Sequence, residues 1–157
     1  MAVKKVPEGH NRVSPYLIVD GAERALEFYK NAFGAVELFR HTAPTGKVGH
    51  AEVRIGDTVV MLADVHPDFD ARGPAHYGGS PISLHRYVED VDAVARQAIA
   101  AGAKVKRPVA DQFYGDRLGT FEDPFGHTWH ISTHIEDVSG EELDRRAKAA
   151  MAQHTKR

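Results

Sequence analysis

The 157-residue chain contains no cysteine. Disulfides, thiolate metal sites and a cysteine nucleophile are therefore excluded. No run of about 18 apolar residues occurs, so no segment is built to cross a membrane as a helix. The opening residues, Met1 to His10, lack the apolar stretch of a secretory signal, and a cytoplasmic location is expected. Neither charge dominates: 20 Lys and Arg face 22 Asp and Glu, with both signs dispersed. A nucleic-acid or membrane-surface partner is not expected from that balance. Gly-rich phosphate loops, Gly-x-Ser-x-Gly and His-Glu-x-x-His are missing as well. What the composition does supply is histidine, ten in all. Histidine is the residue of metal binding and of proton transfer near neutral pH.

The chain also repeats itself. Pro15-Tyr16-Leu17-Ile18-Val19-Asp20 leads into a helical pattern from Gly21 that stops at Gly34-Ala35. Ser83-Leu84-His85-Arg86-Tyr87-Val88-Glu89-Asp90 leads into another, from Val91, that stops at Gly102-Ala103. The strand-to-helix junctions at Val19 and Val88 lie 69 positions apart. Self-similarity at a long period marks duplicated structural units, and a duplicated unit places its pocket where the copies meet. Ala22, Ala25, Leu26, Phe28, Tyr29, Ala32 and Phe33 follow the 3/4 spacing of a buried helix face.

Strands are expected at 12–19, 35–43, 48–55 and 58–64 in the first module, 12–64. Residues 65–81, rich in Pro, Gly, Asp and His, read as a linker. The second module, 82–134, repeats the order: strand 82–88, helix 91–101, and strands at 104–110, 117–122 and 127–134. Asp123-Pro124-Phe125-Gly126 forms the turn between the last two. Ser139-Gly140-Glu141-Glu142 is a capping-box pattern that opens a tail helix at 139–153. Modules of ~60–70 residues bury little core alone, so the pair is expected to pack together.

At this point the residues resemble the vicinal oxygen chelate superfamily: glyoxalase I, bleomycin-resistance proteins and extradiol dioxygenases. The similarity is to its PhnB-like branch. It is carried by Pro15 to Gly21, Glu27-Phe28-Tyr29-Lys30, Ala32-Phe33-Gly34-Ala35 and Gly49-His50-Ala51-Glu52 in the first module. Tyr87 to Asp92, Asp111 to Arg117, Asp123 to Trp129 and Thr133 to Ser139 carry it in the second. It spans one domain, about 12–147. The resemblance implies an α+β fold of two tandem βαβββ modules, with curved mixed sheets enclosing a cleft, helices outside and a C-terminal helix. It also implies a homodimer, with module pairing within or between chains left open.

Glyoxalase-type members hold a divalent metal with four side chains, one each from the first and last strand of each module. Carried onto this chain, those positions are Ser14, Met61, Ser83 and His130. Only His130 is a good ligand for a hard cation. Strand alternation offers other groups. If Ser14 and Met61 face the cleft, so do Tyr16, Ile18 and Val59, with His50, Glu52 and Arg54 beside them. Ser83 brings His85 and Tyr87 to the same side, and His130 brings Thr128 and Ser132. Leu17, Val19, Val60, Leu62, Leu84, Val88, Trp129 and Ile131 have the opposite parity and belong under the helices.

His130, Glu52 and His85 are thus the candidate catalytic and metal-holding residues. Tyr16, His50, Arg54, Met61, Tyr87, Tyr114 and Arg117 are candidates for ligand binding, Arg117 alternatively pairing with Asp116 or Asp123. Glu52 and Arg54 alternatively neutralise each other. His66, Asp68, Asp70 and His76 lie in the linker without fixed spacing. Three readings follow. The first is a small-molecule-binding protein with a pocket between its modules and the glyoxalase ligands largely missing. The second is a divalent-metal-dependent lyase, isomerase or dioxygenase using His85, His130 and Glu52. The third is a non-catalytic interaction protein. The residues name no substrate.

Overall fold

The structure is a computed structural model that describes residues 2–155. The first module runs β1 (Tyr16–Val19), α1 (Ala22–Phe33), β2 (Val36–Thr42), β3 (Val48–Ile55) and β4 (Thr58–Asp64). The second runs β5 (Ser83–Tyr87), α3 (Val91–Ala101), β6 (Lys104–Asp111), β7 (Asp116–Glu122) and β8 (Thr128–His134). A tail helix α4 (Gly140–His154) closes the described chain. The expected βαβββ order is present twice.

Each module forms its own four-stranded mixed sheet, ordered β1-β4-β3-β2 in one and β5-β8-β7-β6 in the other. In both, the first strand runs parallel to the last and the remaining pairs are antiparallel. The sheets do not close on each other. β1 and β5 are left as edge strands, and helix α1 packs against α3.

Alternation decides which face each sheet buries. Ala51, Val53 and Ile55 of β3 are buried, whereas His50, Glu52 and Arg54 are partly or fully exposed. Leu17, Val19, Val60, Leu62, Trp129 and Ile131 lie in the core, as their parity requires. Burying side chains such as Leu26, Leu62 and Ile131 stabilises by about 1.5–3 kcal/mol each. Between the modules Phe28, Tyr29 and Phe33 of α1 meet Phe125 and Trp129, with Phe33 and Trp129 ring centroids 4.7 Å apart.

One carboxylate ties that aromatic cluster together. The buried Asp123 accepts from the amides of Phe125 and His127 at 2.9 and 3.0 Å, which fixes the turn. Its other oxygen accepts from Tyr29 Oη at 2.7 Å and Trp129 Nε1 at 3.0 Å. Helix starts are handled differently in the two modules. Asp64, at the end of β4, accepts from the amides of Gly21, Ala22 and Val48 at 2.7–3.0 Å and so caps α1 from a distance. For α3, Asp90 caps locally through the Ala93 amide at 3.0 Å. Thr133 adds an acceptor for the Val91 amide.

Two segments differ from the sequence expectation. The 65–81 stretch is not all loop: it holds a 3-10 turn at Pro67–Phe69, a bridge between His66 and Ala71, and a short helix α2 (Pro74–Tyr77). Pro74 is pre-set for a first helical position and is buried, which anchors the segment. Before β1, His10 and Asn11 lie on the face of the first sheet that α1 leaves uncovered. Asn11 Nδ2 donates to the Val59 carbonyl at 3.0 Å, and Val59 is buried beneath.

Candidate functional site

The edge strands β1 and β5 flank a cavity of about 1090 Å³ between the modules. Its walls include Ser14, Tyr16 and Leu17 from the first module, Ser83, His85, Arg86 and Tyr87 from the second, and Trp129 at the helix side. Of the candidate catalytic and ligand-binding residues, Tyr16, His85 and Tyr87 line it, together with Ser14 and Ser83 of the implied metal positions. Leu17, Val60, Leu84 and Trp129, which alternation places under the helices, line it as well. Glu52, His50, Arg54, Met61, Tyr114, Arg117 and His130 lie elsewhere.

Tyr16, Met61 and Glu52 share one row across the first sheet. There a polar network runs along the uncovered face. Tyr16 Oη lies 2.8 Å from His50 Nδ1, and His50 Nε2 lies 3.0 Å from a Glu52 oxygen. The carboxylate accepts, so Nε2 of His50 is the donor to it, and in the neutral ring Nδ1 accepts the hydrogen bond of the Tyr16 hydroxyl. The second Glu52 oxygen meets His10 Nε2 at 2.8 Å, and His10 Nδ1 meets the Glu8 carbonyl at 3.2 Å. Acceptors on both sides favour the imidazolium form of His10. Its pKa is raised, chiefly by the Glu52 hydrogen bond. That of Glu52 is lowered, first by His50. Burial, with the Glu52 charge, raises Tyr16 and keeps it protonated.

The second sheet carries the matching row of His85, His130 and Thr120. His85 Nε2 bonds Ser132 Oγ at 2.7 Å, and the His85 ring stacks on Tyr87 at 4.8 Å. His130 Nδ1 bonds Thr120 Oγ1 at 2.9 Å. Burial lowers the His130 pKa, and the neighbouring His85 and Arg107 lower it further. Tyr87 Oη donates to the buried Asp116 at 2.8 Å, and His134 bridges Asp116 to Asp137.

Metal binding can be tested on these donors. His85 and His130 come together, with ring centroids 6.0 Å apart, but Glu52 sits on the other sheet and is shared by two histidines. Among the described residues, no three His, Asp or Glu side chains converge as a metal site within the chain. Of the positions implied by the resemblance, Ser14 Oγ accepts from Asn11, and Met61 offers only a thioether. The residues present in one chain do not fit a four-donor site for a hard divalent cation.

Arg117 forks onto Asp92 at 2.8 and 3.0 Å and reaches Asp111 at 2.9 Å, joining β7 to the start of α3. Its partners are thus neither Asp116 nor Asp123. Tyr114 stands edge-on to Phe113 in the β6–β7 hairpin. Arg54 is exposed, and Glu52 is paired with histidines in its place. The sequence assigns no role to His10 or Arg86, and names Asp116 only as an alternative partner of Arg117. A histidine two residues from a carbonyl acceptor gives no local signal of its distant partner.

A family model described as Glyoxalase/Bleomycin resistance protein/Dioxygenase superfamily matches residues 10–131. The uncharacterized protein Rv0887c of Mycobacterium tuberculosis is 42% identical over 134 residues, which cover 83% of this chain and 79% of the relative. Protein YjdN of Escherichia coli is 25% identical over 141 residues, covering 76% and 93%. Among solved structures, the At5g48480 gene product of Arabidopsis thaliana superposes with a TM-score of 0.63 at 26% identity, over 78% of this chain and 98% of that one.

Proposed function

The chain belongs to the glyoxalase/bleomycin resistance protein/dioxygenase superfamily, and from that membership we propose that it is a cytoplasmic small-molecule-binding protein whose ligand sits between its two modules. The observation that carries this reading is the cavity of about 1090 Å³ walled by the first strand of each module. Its size is that of a generous ligand pocket, and its mixture of apolar wall and few polar groups suits a small organic molecule. Serines at two of the metal positions, Ser14 and Ser83, leave hydroxyls where a metal enzyme of this superfamily would place ligands. They support binding without a resident metal.

The partner proposed for the chain is a second copy of itself. The uncovered sheet faces present Tyr16 at 49%, Phe39 at 51% and Tyr87 at 62% exposure. Aromatic groups this open are the usual material of an interface core. In such a homodimer the open face of one module would meet that of another.

A second reading rests on the His85–His130 pair, which keeps one ring nitrogen of each residue without a partner among the described residues. A carboxylate such as Glu52 from a second copy would complete a metal centre for lyase, isomerase or oxygenase chemistry. Elemental analysis of untagged protein purified without chelator, beside His130→Ala, separates the two. Substoichiometric metal unchanged by the substitution is expected. Close to one metal per chain, lost in the variant, would replace the binding reading with the enzyme reading.

A further inference from the structure

Arg86 lies on the helix side of β5, in the wall of the inter-module cavity. Its guanidinium is half-buried and rests 5.6 Å from the centre of the Phe33 ring. Nη1 donates to the Phe33 carbonyl, at the C-terminal end of α1, at 3.3 Å. Among the described residues this is the only hydrogen bond the side chain makes, and no carboxylate pairs with it. Arg40, Arg72, Arg117, Arg145 and Arg146 all have acidic partners. Burial lowers the Arg86 pKa with no acidic group opposing it. The ring and the helix end offset part of the cost of this charge, but four of five N–H donors stay open.

We propose that Arg86 anchors an anion, so that the inter-module cavity takes a small organic monoanion with an apolar body, such as an aryl or alkyl carboxylate. The inference rests on the reading that this cavity is the ligand site. A planar carboxylate matches the guanidinium fork. The apolar part of the wall, which includes Leu17, Val60, Ile82, Leu84 and Trp129, suits an apolar body. One uncompensated positive charge favours a single negative charge. Asp57, also in the cavity wall, adds a negative charge that disfavours a dianion further.

The test compares 4-tert-butylbenzoate with its uncharged isostere 4-tert-butylbenzamide by calorimetry, for the wild type, Arg86→Gln and Arg86→Lys. Trp129, the only tryptophan of the chain and part of the cavity wall, provides a fluorescence readout. The benzoate should bind about tenfold or more tighter than the amide in the wild type. That preference should vanish in Arg86→Gln, which can still donate to the Phe33 carbonyl, and survive in part in Arg86→Lys. Amide affinity should be the same in all three. Equal binding of both compounds to the wild type overturns the anion anchor and leaves the ligand-site reading intact. A preference that persists in Arg86→Gln also overturns it. Failure of both compounds to bind the wild type counts against the ligand-site reading and takes this inference with it. If Arg86→Gln does not fold, the wild-type preference and its decline with added salt decide the question.

Discussion

Tyr29 Oη donates to Asp123 Oδ2 at 2.7 Å, across the boundary between the two modules. Tyr29 is fully buried, and burial together with Asp123 raises its pKa well above the ordinary range, so the phenol stays a donor. This bond and the Phe33–Trp129 contact tie the two modules together.

Removing the Asp123 carboxylate strands four donors, two of them backbone amides. Asp123→Ala should lower unfolding free energy by about 3–5 kcal/mol, against about 1–2 kcal/mol for Tyr29→Phe. Urea denaturation followed by Trp129 fluorescence measures both. A Tyr29→Phe loss as large as that of Asp123→Ala would mean that the inter-module bond, and not the turn, dominates.

The attachment of the N-terminal segment should depend on pH. His10 is raised, so its contribution is complete below its ordinary value of 6.5 and is lost as pH rises through the raised value. Glu52 is lowered, so its contribution is complete above 4.5 and is lost as pH falls through the lowered value. Hydrogen exchange at the amides of residues 8–13 should be slowest, after correction for intrinsic rates, between those two ordinary values. Protection that is flat in pH, or unchanged in His10→Gln, would show that Asn11 alone holds the segment.

Arg117→Ala should cost about 0.5–1 kcal/mol of stability, a modest figure because the fork to Asp92 is partly exposed. Ligand affinity should not change, since Arg117 is outside the cavity wall. Weakened binding of a ligand at unchanged stability would return Arg117 to the site.

Gly115 adopts φ +98°, and a Cβ there would run into the Glu136 carbonyl. Its amide hydrogen-bonds the Gln112 carbonyl, while its own carbonyl accepts from the amides of Ile135 and Glu136. Gly115→Ala should cost at least about 2 kcal/mol, read as a drop in Tm. An unchanged Tm would mean that the 135–138 segment yields freely.

Association is checked by sedimentation across a concentration series. The wild type should be dimeric, and Phe39→Glu should shift it toward monomer, since a charge would be buried at the proposed interface. A monomeric wild type would remove the homodimer from the proposal.

Much of this architecture is written in short-range pattern. The period of 3.6 in Ala22 to Phe33, the glycines at 34 and 102, and the alternation through β3 are local properties, so both modules and both sheet faces can be read from the chain. Alternation puts Tyr16, His85 and Tyr87 on one face of their strands, but Leu17, Leu84 and Trp129 of the opposite parity share the cavity wall with them, so parity alone does not delimit it. The rest depends on groups far apart in sequence. His10 finds Glu52 across 42 positions, and Arg117 finds Asp92 across 25. Arg86 had the helix-side parity of an apolar residue, and only its packing on Phe33 distinguishes it. The linker helix escaped because four residues are too few to show a period.

The two ways of starting a helix bear on how the chain is made. Asp90 stands next to α3, so that helix carries a start signal as soon as its own residues exist. The carboxylate that secures α1 is 43 and 42 positions beyond the amides it holds. During vectorial synthesis, the first helix cannot be secured until residue 64 has cleared the ribosome and β4 has found β1. The two halves share an outline, yet the first must wait for its own last strand.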